Sequence, residues 1–429
     1  MELAILWFRR DLRLEDNTAL QQALASGLPV LPLFIFDDNI LKELPGDDAR
    51  VSFIFHSLQN IHRQLEQKGS TLLCKKGDPL SIWIELINEH DIARVYTNKD
   101  YEPYARKRDS DIEILLRKAG ISFHSFKDQV MFEESEVLKD DGRPYTVFTP
   151  YKNKWMQALE GLGAMKSPNI QWENFYKGQF SMPEISDIGF RESFIKTPAF
   201  DLSVLDDYAT TRDYPSLPTS HIGPHLRFGT ISIRQVVSGL KPKQATYLSE
   251  LIWREFFMQI LFHFPHVVHQ NFKEAYNGIE WRNNEAEFEK WCAGQTGYLL
   301  VDAGMRQLNA TGFMHNRVRM ITASFLCKHL LVDWQWGEAY FAKKLLDYEL
   351  ASNNGNWQWA AGTGCDAAPY FRIFNPMTQA KKFDKNGSYI RQWVPELETF
   401  GYAEPIVNHE MARTRALNVY KKGLAVIRQ

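Results

Sequence analysis

Glu250, Trp253, Arg254 and Phe257 stand at i, i+3, i+4 and i+7, a spacing that puts four side chains on one face of a helix. A carboxylate beside an indole on an otherwise apolar helix has two readings. Trp253 can offer a flat ring to a planar base while Glu250 accepts the base's amide N–H groups. Alternatively, Trp253 packs in the core and Glu250 pairs with an arginine. In the run Phe313-Met314-His315-Asn316-Arg317-Val318-Arg319-Met320, Asn316 and Met320 are four apart and face the same way. Arg319 can pair with Asp347 across an interior. Such a pair is costly unless its charges work, for instance by bracketing a redox cofactor whose electron affinity they set; a plain structural ion pair is equally open. In Asn353-Asn354-Gly355-Asn356-Trp357-Gln358-Trp359 the two tryptophans lie about 200° apart on a helix, so they face different surroundings. Trp357 can join an interior aromatic chain with Trp334 and Trp281, leaving Trp359 to line a cavity. Thr219-Ser220-His221-Ile222-Gly223-Pro224 leads into a helical run, and its hydroxyls and N–H groups suit a diphosphate or merely an N-cap.

Near the N-terminus, Trp7-Phe8-Arg9-Arg10-Asp11-Leu12-Arg13 follows a strand-like run. Its charges can line a ligand crevice at the strand's carboxyl end or form a salt-bridged loop. The common dinucleotide, P-loop, acyl-transfer and metalloprotease signatures are missing. Cys74, Cys292, Cys327 and Cys365 have no C-x-x-C spacing, so neither a disulfide framework nor a metal site is expected. No apolar stretch reaches the roughly 18 residues that span a bilayer, and no secretory signal opens the chain. A reducing cytoplasm, a monomer and no membrane contact are the expectations.

These residues must be positioned by a chain of 429 residues that is 44% hydrophobic and 24% charged, a folded composition long enough for two or three domains. The first 200 residues carry 25 basic and 30 acidic side chains and the remainder 25 and 22, so the second part is the better suited to an anion. Short apolar runs at 3–8, 30–36, 71–75, 94–97 and 122–126 read as strands, and 18–25, 49–67, 79–89 and 103–118 as helices. That alternation predicts an α/β doubly wound parallel sheet over 1–130. Residues 131–200 lack a period and read as an interdomain linker. Over 201–429 the apolar spacing is helical, which predicts an all-α second domain.

Taken together, the blocks W-F-R-R-D-L-R (7–13), E-L-I-W-R-E-F-F (250–257), T-G-F-M-H-N-R-V-R-M (311–320), N-N-G-N-W-Q-W (353–359) and D-A-A-P-Y-F-R-I-F-N-P (366–376) resemble the DNA photolyase/cryptochrome family. The likeness is greatest to a class I cyclobutane pyrimidine dimer photolyase. It implies an α/β antenna domain and a helical domain that binds FAD, with light-driven electron transfer from reduced FAD to pyrimidine dimers in DNA. A blue-light-sensing cryptochrome acting on a protein partner is the alternative. By position, the resemblance implies flavin contacts at Tyr208, Thr219, Ser220, His221, Ile222, Gly223, Arg254, Arg319, Asp347, Tyr348, Glu349 and Asn353. It implies lesion or DNA contacts at Arg212, Glu250, Trp253, Asn316, Arg317, Met320, Trp359 and Gln379. Trp281, Trp334 and Trp357 match the family's electron-transfer chain. Gly223, Phe313 and Glu349 depart from residues common among relatives. Folate-binding members commonly have glutamate near the position of Ala105, so a deazaflavin, a second flavin or an empty antenna site is open; a second chromophore of the deazaflavin, folate or flavin class is the expectation.

Overall fold

The computed structural model describes residues 1–163, 169–398 and 402–426. Its contacts divide into two compact units, one of Met1–Val137, Trp155–Ala199 and Ile222–Lys241, the other of Leu138–Lys154, Phe200–His221 and Pro242–Gln429.

In the first unit, strands β1 (Leu3–Phe8), β2 (Val30–Asp37), β3 (Leu73–Gly77), β4 (Ile92–Asn98) and β5 (Ser122–Phe126) form one parallel sheet in the order β3-β2-β1-β4-β5. The alternation of strand and helix dictates this, because parallel neighbours need crossover connections that lay helices over the sheet. Every residue of β1 is buried, as expected for a strand covered on both faces. Helix starts follow local chemistry. Asn17 accepts from Leu20 N, Asp48 from Arg50 N, and Asp78 from Ser81 N just ahead of Pro79. The chain order reverses on either side of β1, so the carboxyl ends of β1 and its neighbours open a crevice.

Two segments differ from the sequence expectation. Residues 131–200 are no featureless linker. They contain the helix Phe148–Gly161, whose Tyr151 packs on Phe256 in the second unit while Trp155 meets Phe132 in the first. Residues 222–241, expected in the helical domain, cluster with the sheet unit. Gly229, in the left-handed region at φ 65°, sits so close that a Cβ there would meet Arg10 O at 2.3 Å, and Phe228 O accepts from Leu12 N at 3.0 Å.

The second unit is helical. Its core gathers Trp291, Met305, Met314, Phe325, Trp334, Phe341 and Trp357. Ala245–His263 is buried on nearly all sides, as a central helix must be. Gly355 and Gly337 let neighbouring helices close on it and on each other. A Cβ at Gly355 would meet Phe257 at 2.1 Å, and one at Gly337 would meet Trp357 at 2.1 Å. Among the described residues no helix is long and apolar enough to cross a membrane.

Candidate active site

The helices Asn316–Ser324 and Leu350–Ala361 and the turn between Leu345 and Glu349 enclose a cavity of roughly 580 Å³. Arg319 donates from Nη2 to Asp347 Oδ2 at 2.9 Å and from Nε to Met314 O at 2.7 Å. Arg254 approaches Glu349 Oε1 at 3.4 Å, and Ser352 Oγ donates to the other Glu349 oxygen at 3.0 Å. Asn353 lines the cavity and donates to Glu338 Oε1 at 2.8 Å and Glu338 O at 3.1 Å. Burial raises the Glu338 carboxyl, and the Asn353 bond opposes that shift. Tyr348 and Glu349 complete the wall.

Asp347 Oδ1, on the cavity wall, is buried with no protein partner, and so are Thr219 Oγ1 and His221 Nδ1, which lie outside the lining. His221, held in the left-handed region at φ 49°, packs edge-on against Phe313 at 4.8 Å. Burial lowers its pKa while the Asp347 charge acts the other way, which places the two side chains within electrostatic reach. Ser220 Oγ meets Tyr247 OH at 3.1 Å, and Tyr208 stands edge-on to Tyr247 at 5.0 Å. Buried orphan atoms beside two arginines are what a polar, anionic ligand would satisfy. The residues present therefore fit FAD. Ile222 and Gly223 fall in the sheet unit, where Gly223 opens the short helix Gly223–Arg227.

A second cavity of roughly 850 Å³ is lined by Arg212, Glu250, Trp253, Arg254, Phe257, Asn316, Met320, Ser352, Asn356 and Trp359. Asn316, Met320, Ser352, Asn356 and Trp359 line both spaces. Glu250 accepts from Arg212 Nη1 at 2.7 Å, so the arginine-paired reading and the cavity-lining reading hold together. Arg317 pairs with Asp213 at 2.5 Å and lies 4.5 Å over Phe383. Arg317, Tyr208 and Gln379 are in neither lining, and Gln379 sits on the helix Pro376–Phe383.

The three expected tryptophans belong to, or pack against, one core. Trp357 lines the first cavity, but its ring contacts run to Trp291 at 6.1 Å and Phe341 at 5.0 Å. Trp334 donates from Nε1 to Asn271 Oδ1 at 2.9 Å, and Trp281 meets Tyr420 edge-on at 5.9 Å. Sequence reasoning missed Trp291, Glu338, Asp213 and Phe148, the last lying 3.7 Å from Trp253. A carboxylate on an apolar helix, the signal that drew attention to Glu250, would also have found Glu338.

In the sheet unit, Trp7, Arg9, Arg10, Asp37, Tyr104, Ala105 and Arg108 are among the walls of a cavity of roughly 870 Å³ at the strand ends. Arg9 pairs with Asp109, Arg10 reaches Asp100 at 3.1 Å and Glu102 at 3.0 Å, and Arg13 is tied to Asp128 at 2.7 Å. Both readings of the opening motif therefore apply: Arg13 is structural, whereas Arg9 and Arg10 line a crevice while paired.

Residues 4–170 match the family model described as DNA photolyase, and residues 247–401 match the FAD binding domain of DNA photolyase. The deoxyribodipyrimidine photo-lyase of Halobacterium salinarum is 36% identical, the match covering 98% of this chain and 99% of the relative. The crystal structure of a bacterial class III photolyase from Agrobacterium tumefaciens is similar with a TM-score of 0.87 at 36% identity, covering 99% of this chain and 98% of the other. An archaeal photolyase from Sulfolobus tokodaii, solved with two FAD molecules, is similar with a TM-score of 0.85 at 35% identity, covering 98% and 100%. The likeness thus extends to a class III enzyme and does not single out class I. With relatives of this identity matched along the whole chain, and with an FAD-binding domain beneath the cavities described, the chain belongs to the DNA photolyase/cryptochrome family.

Proposed function

We propose that this protein repairs cyclobutane pyrimidine dimers in DNA under light, as a cytoplasmic monomer. The observation that carries the reading is the shared wall: Asn316, Met320, Ser352, Asn356 and Trp359 border both the FAD-suited cavity and the space beside Glu250 and Trp253. A lesion in the second cavity would lie one side-chain layer from a cofactor in the first. The chemistry that bound FAD supplies is reversible one-electron donation on illumination, so the splitting of the dimer is redox-neutral overall.

The protein's own residues bind and orient. Photolyases reach their target by taking it out of the duplex, and a lesion that already pairs poorly is cheaper to extrude. Trp253 and Trp359 provide apolar walls for two joined bases, while Glu250 and Asn316 provide polar readout. Arg212 holds the Glu250 carboxylate in place through their ion pair at 2.7 Å. Arg319, fixed by Asp347, would hold the cofactor's anionic part, and Arg254, which lines the second cavity, would assist through its pair with Glu349 on the wall of the first. The sheet-unit cavity is assigned to a second, light-gathering chromophore of the flavin, deazaflavin or folate class, in keeping with the two FAD molecules of the archaeal neighbour. Extracting the pigments of the purified protein and recording their spectra identifies it.

The deciding experiment is blue light on a dimer-containing oligonucleotide with chemically reduced protein. Restoration of the two pyrimidines is expected; an intact lesion after saturating illumination rejects the reading in favour of a photoreceptor.

A further inference from the structure

Phe148 is the first residue of the helix Phe148–Gly161 and is only 7% exposed. Its ring lies 3.7 Å from that of Trp253, centroid to centroid, at an interplanar angle of 7°. Trp253 lines the cavity beside Glu250, whereas Phe148 does not. Phe148 therefore covers one face of the indole without being part of the cavity wall itself. Carbon atoms in contact stay about 3.5 Å apart, so at this centroid distance the rings are offset by only about 1 Å and overlap almost completely.

Aromatic pairs left to themselves prefer wider, offset or edge-on arrangements. The overlap is instead held by the surroundings of Phe148. Its backbone N–H donates to Asp366 Oδ2 at 3.0 Å. One turn on, Tyr151 packs against Phe256 at 5.3 Å, and Lys152 Nζ donates to Ser249 Oγ at 3.2 Å. Phe257 supports Trp253 from another side at 5.4 Å. A flat plate held by three contacts of its helix, with Phe257 against the indole itself, fixes the indole plane, and a fixed plane costs a stacking base less ordering.

Resting on the proposed function, we propose that Phe148 is a positioning residue for the lesion: it blocks one face of Trp253 and sets the plane of the other, so the pyrimidine pair stacks in a single orientation. Ordinary core packing asks only for apolar bulk at 148, whereas this role asks for a flat ring.

The test compares F148L, which keeps bulk, with F148Y, which keeps the ring, in the purified flavin-loaded protein. Affinity in the dark is measured for a dimer-containing oligonucleotide and for its undamaged counterpart. F148L is expected to weaken dimer binding roughly ten-fold, as for loss of part of one base-stacking contact, with undamaged binding and flavin content unchanged. F148Y should match the wild type. Asp366→Ala, which removes the backbone anchor and leaves every ring in place, should show the same selective loss to a smaller extent. Wild-type dimer affinity in both F148L and Asp366→Ala overturns the proposal, and so does a loss shared equally by damaged and undamaged DNA. A wild type that neither prefers nor repairs the dimer rejects the function itself, whereas a competent wild type beside unaltered F148L and Asp366→Ala rejects only this role.

Discussion

At the scale of single residues, the site is a set of charges held in place by other charges. Glu250 is half-buried, paired with Arg212, and lines the second cavity but not the first, so on the proposed function its removal weakens lesion recognition and spares the flavin. Glu250→Ala should lower repair per absorbed photon about ten-fold while the flavin-to-protein absorbance ratio stays at the wild-type value; release of the flavin would assign Glu250 to the other cavity. Arg319 is different. It neutralises Asp347 and closes on Met314 O, so Arg319→Leu leaves a partly buried carboxylate alone. Purified Arg319→Leu should lose most of its bound FAD, read from the same absorbance ratio, while keeping its helical circular dichroism.

At the scale of elements, close approach of helices decides where the aromatic side chains stand. Gly355 allows Leu350–Ala361 to lie against Phe257, and Gly337 allows Trp334–Lys344 to lie against Trp357. Gly355→Ala forces a methyl group into a ring and should cost about 1–3 kcal/mol, visible as a lower thermal midpoint. Trp357 is buried at the wall of the first cavity and its ring meets Trp291 and Phe341, while the expected Trp334 shares its core and Trp281 packs against that core. Trp357→Phe should abolish photoreduction of the oxidised flavin and leave repair by chemically reduced protein intact. Equal loss of both activities would remove Trp357 from electron transfer.

At the scale of the whole molecule, the helical unit is closed by its last helix, His409–Val426. His329 Nε2 meets His409 Nδ1 at 2.8 Å, and Arg415 donates to His329 O at 2.6 Å. Lys328 donates to Ala361 O at 2.7 Å from beneath the Tyr420 ring, whose hydroxyl donates to the same carbonyl at 2.9 Å. Burial pushes His329 down to about 3, helped by His409 and Arg415, and pushes His315 down to about 4, helped by Arg319 and Arg317. Below the ordinary histidine value of about 6.5 the unfolded chain binds these protons and the folded chain does not. Stability therefore falls as pH drops from about 6.5 toward 4. Thermal midpoints between pH 7.5 and 5 should show that decline, and His329→Phe should flatten it even if its absolute midpoint is lower. An unchanged slope would shift the effect to other groups.

The sheet strands, the switch region after β1 and the helical character beyond residue 242 were legible in the sequence, because they follow from alternation, period and local caps. The pairing of Arg319 with Asp347 was legible too, as one of two open readings. Other features were not, because they depend on residues distant in the chain. Phe148 lies in a stretch without period, and its partner Trp253 is more than a hundred residues away; residues 222–241 give a helical pattern whichever unit they join. Glu250 shows the limit most plainly. Its neighbours on one helix face raised the question of core pair or binding group, yet only the packing of separate helices around it set the arginine pair at a cavity wall. The sequence by itself determined which residues could do this chemistry and which elements would carry them, since periodicity and motifs act over a few turns. The tertiary structure alone decided that two cavities share lining residues and that Phe148 stacks on Trp253, since such spaces and contacts exist only where distant elements meet.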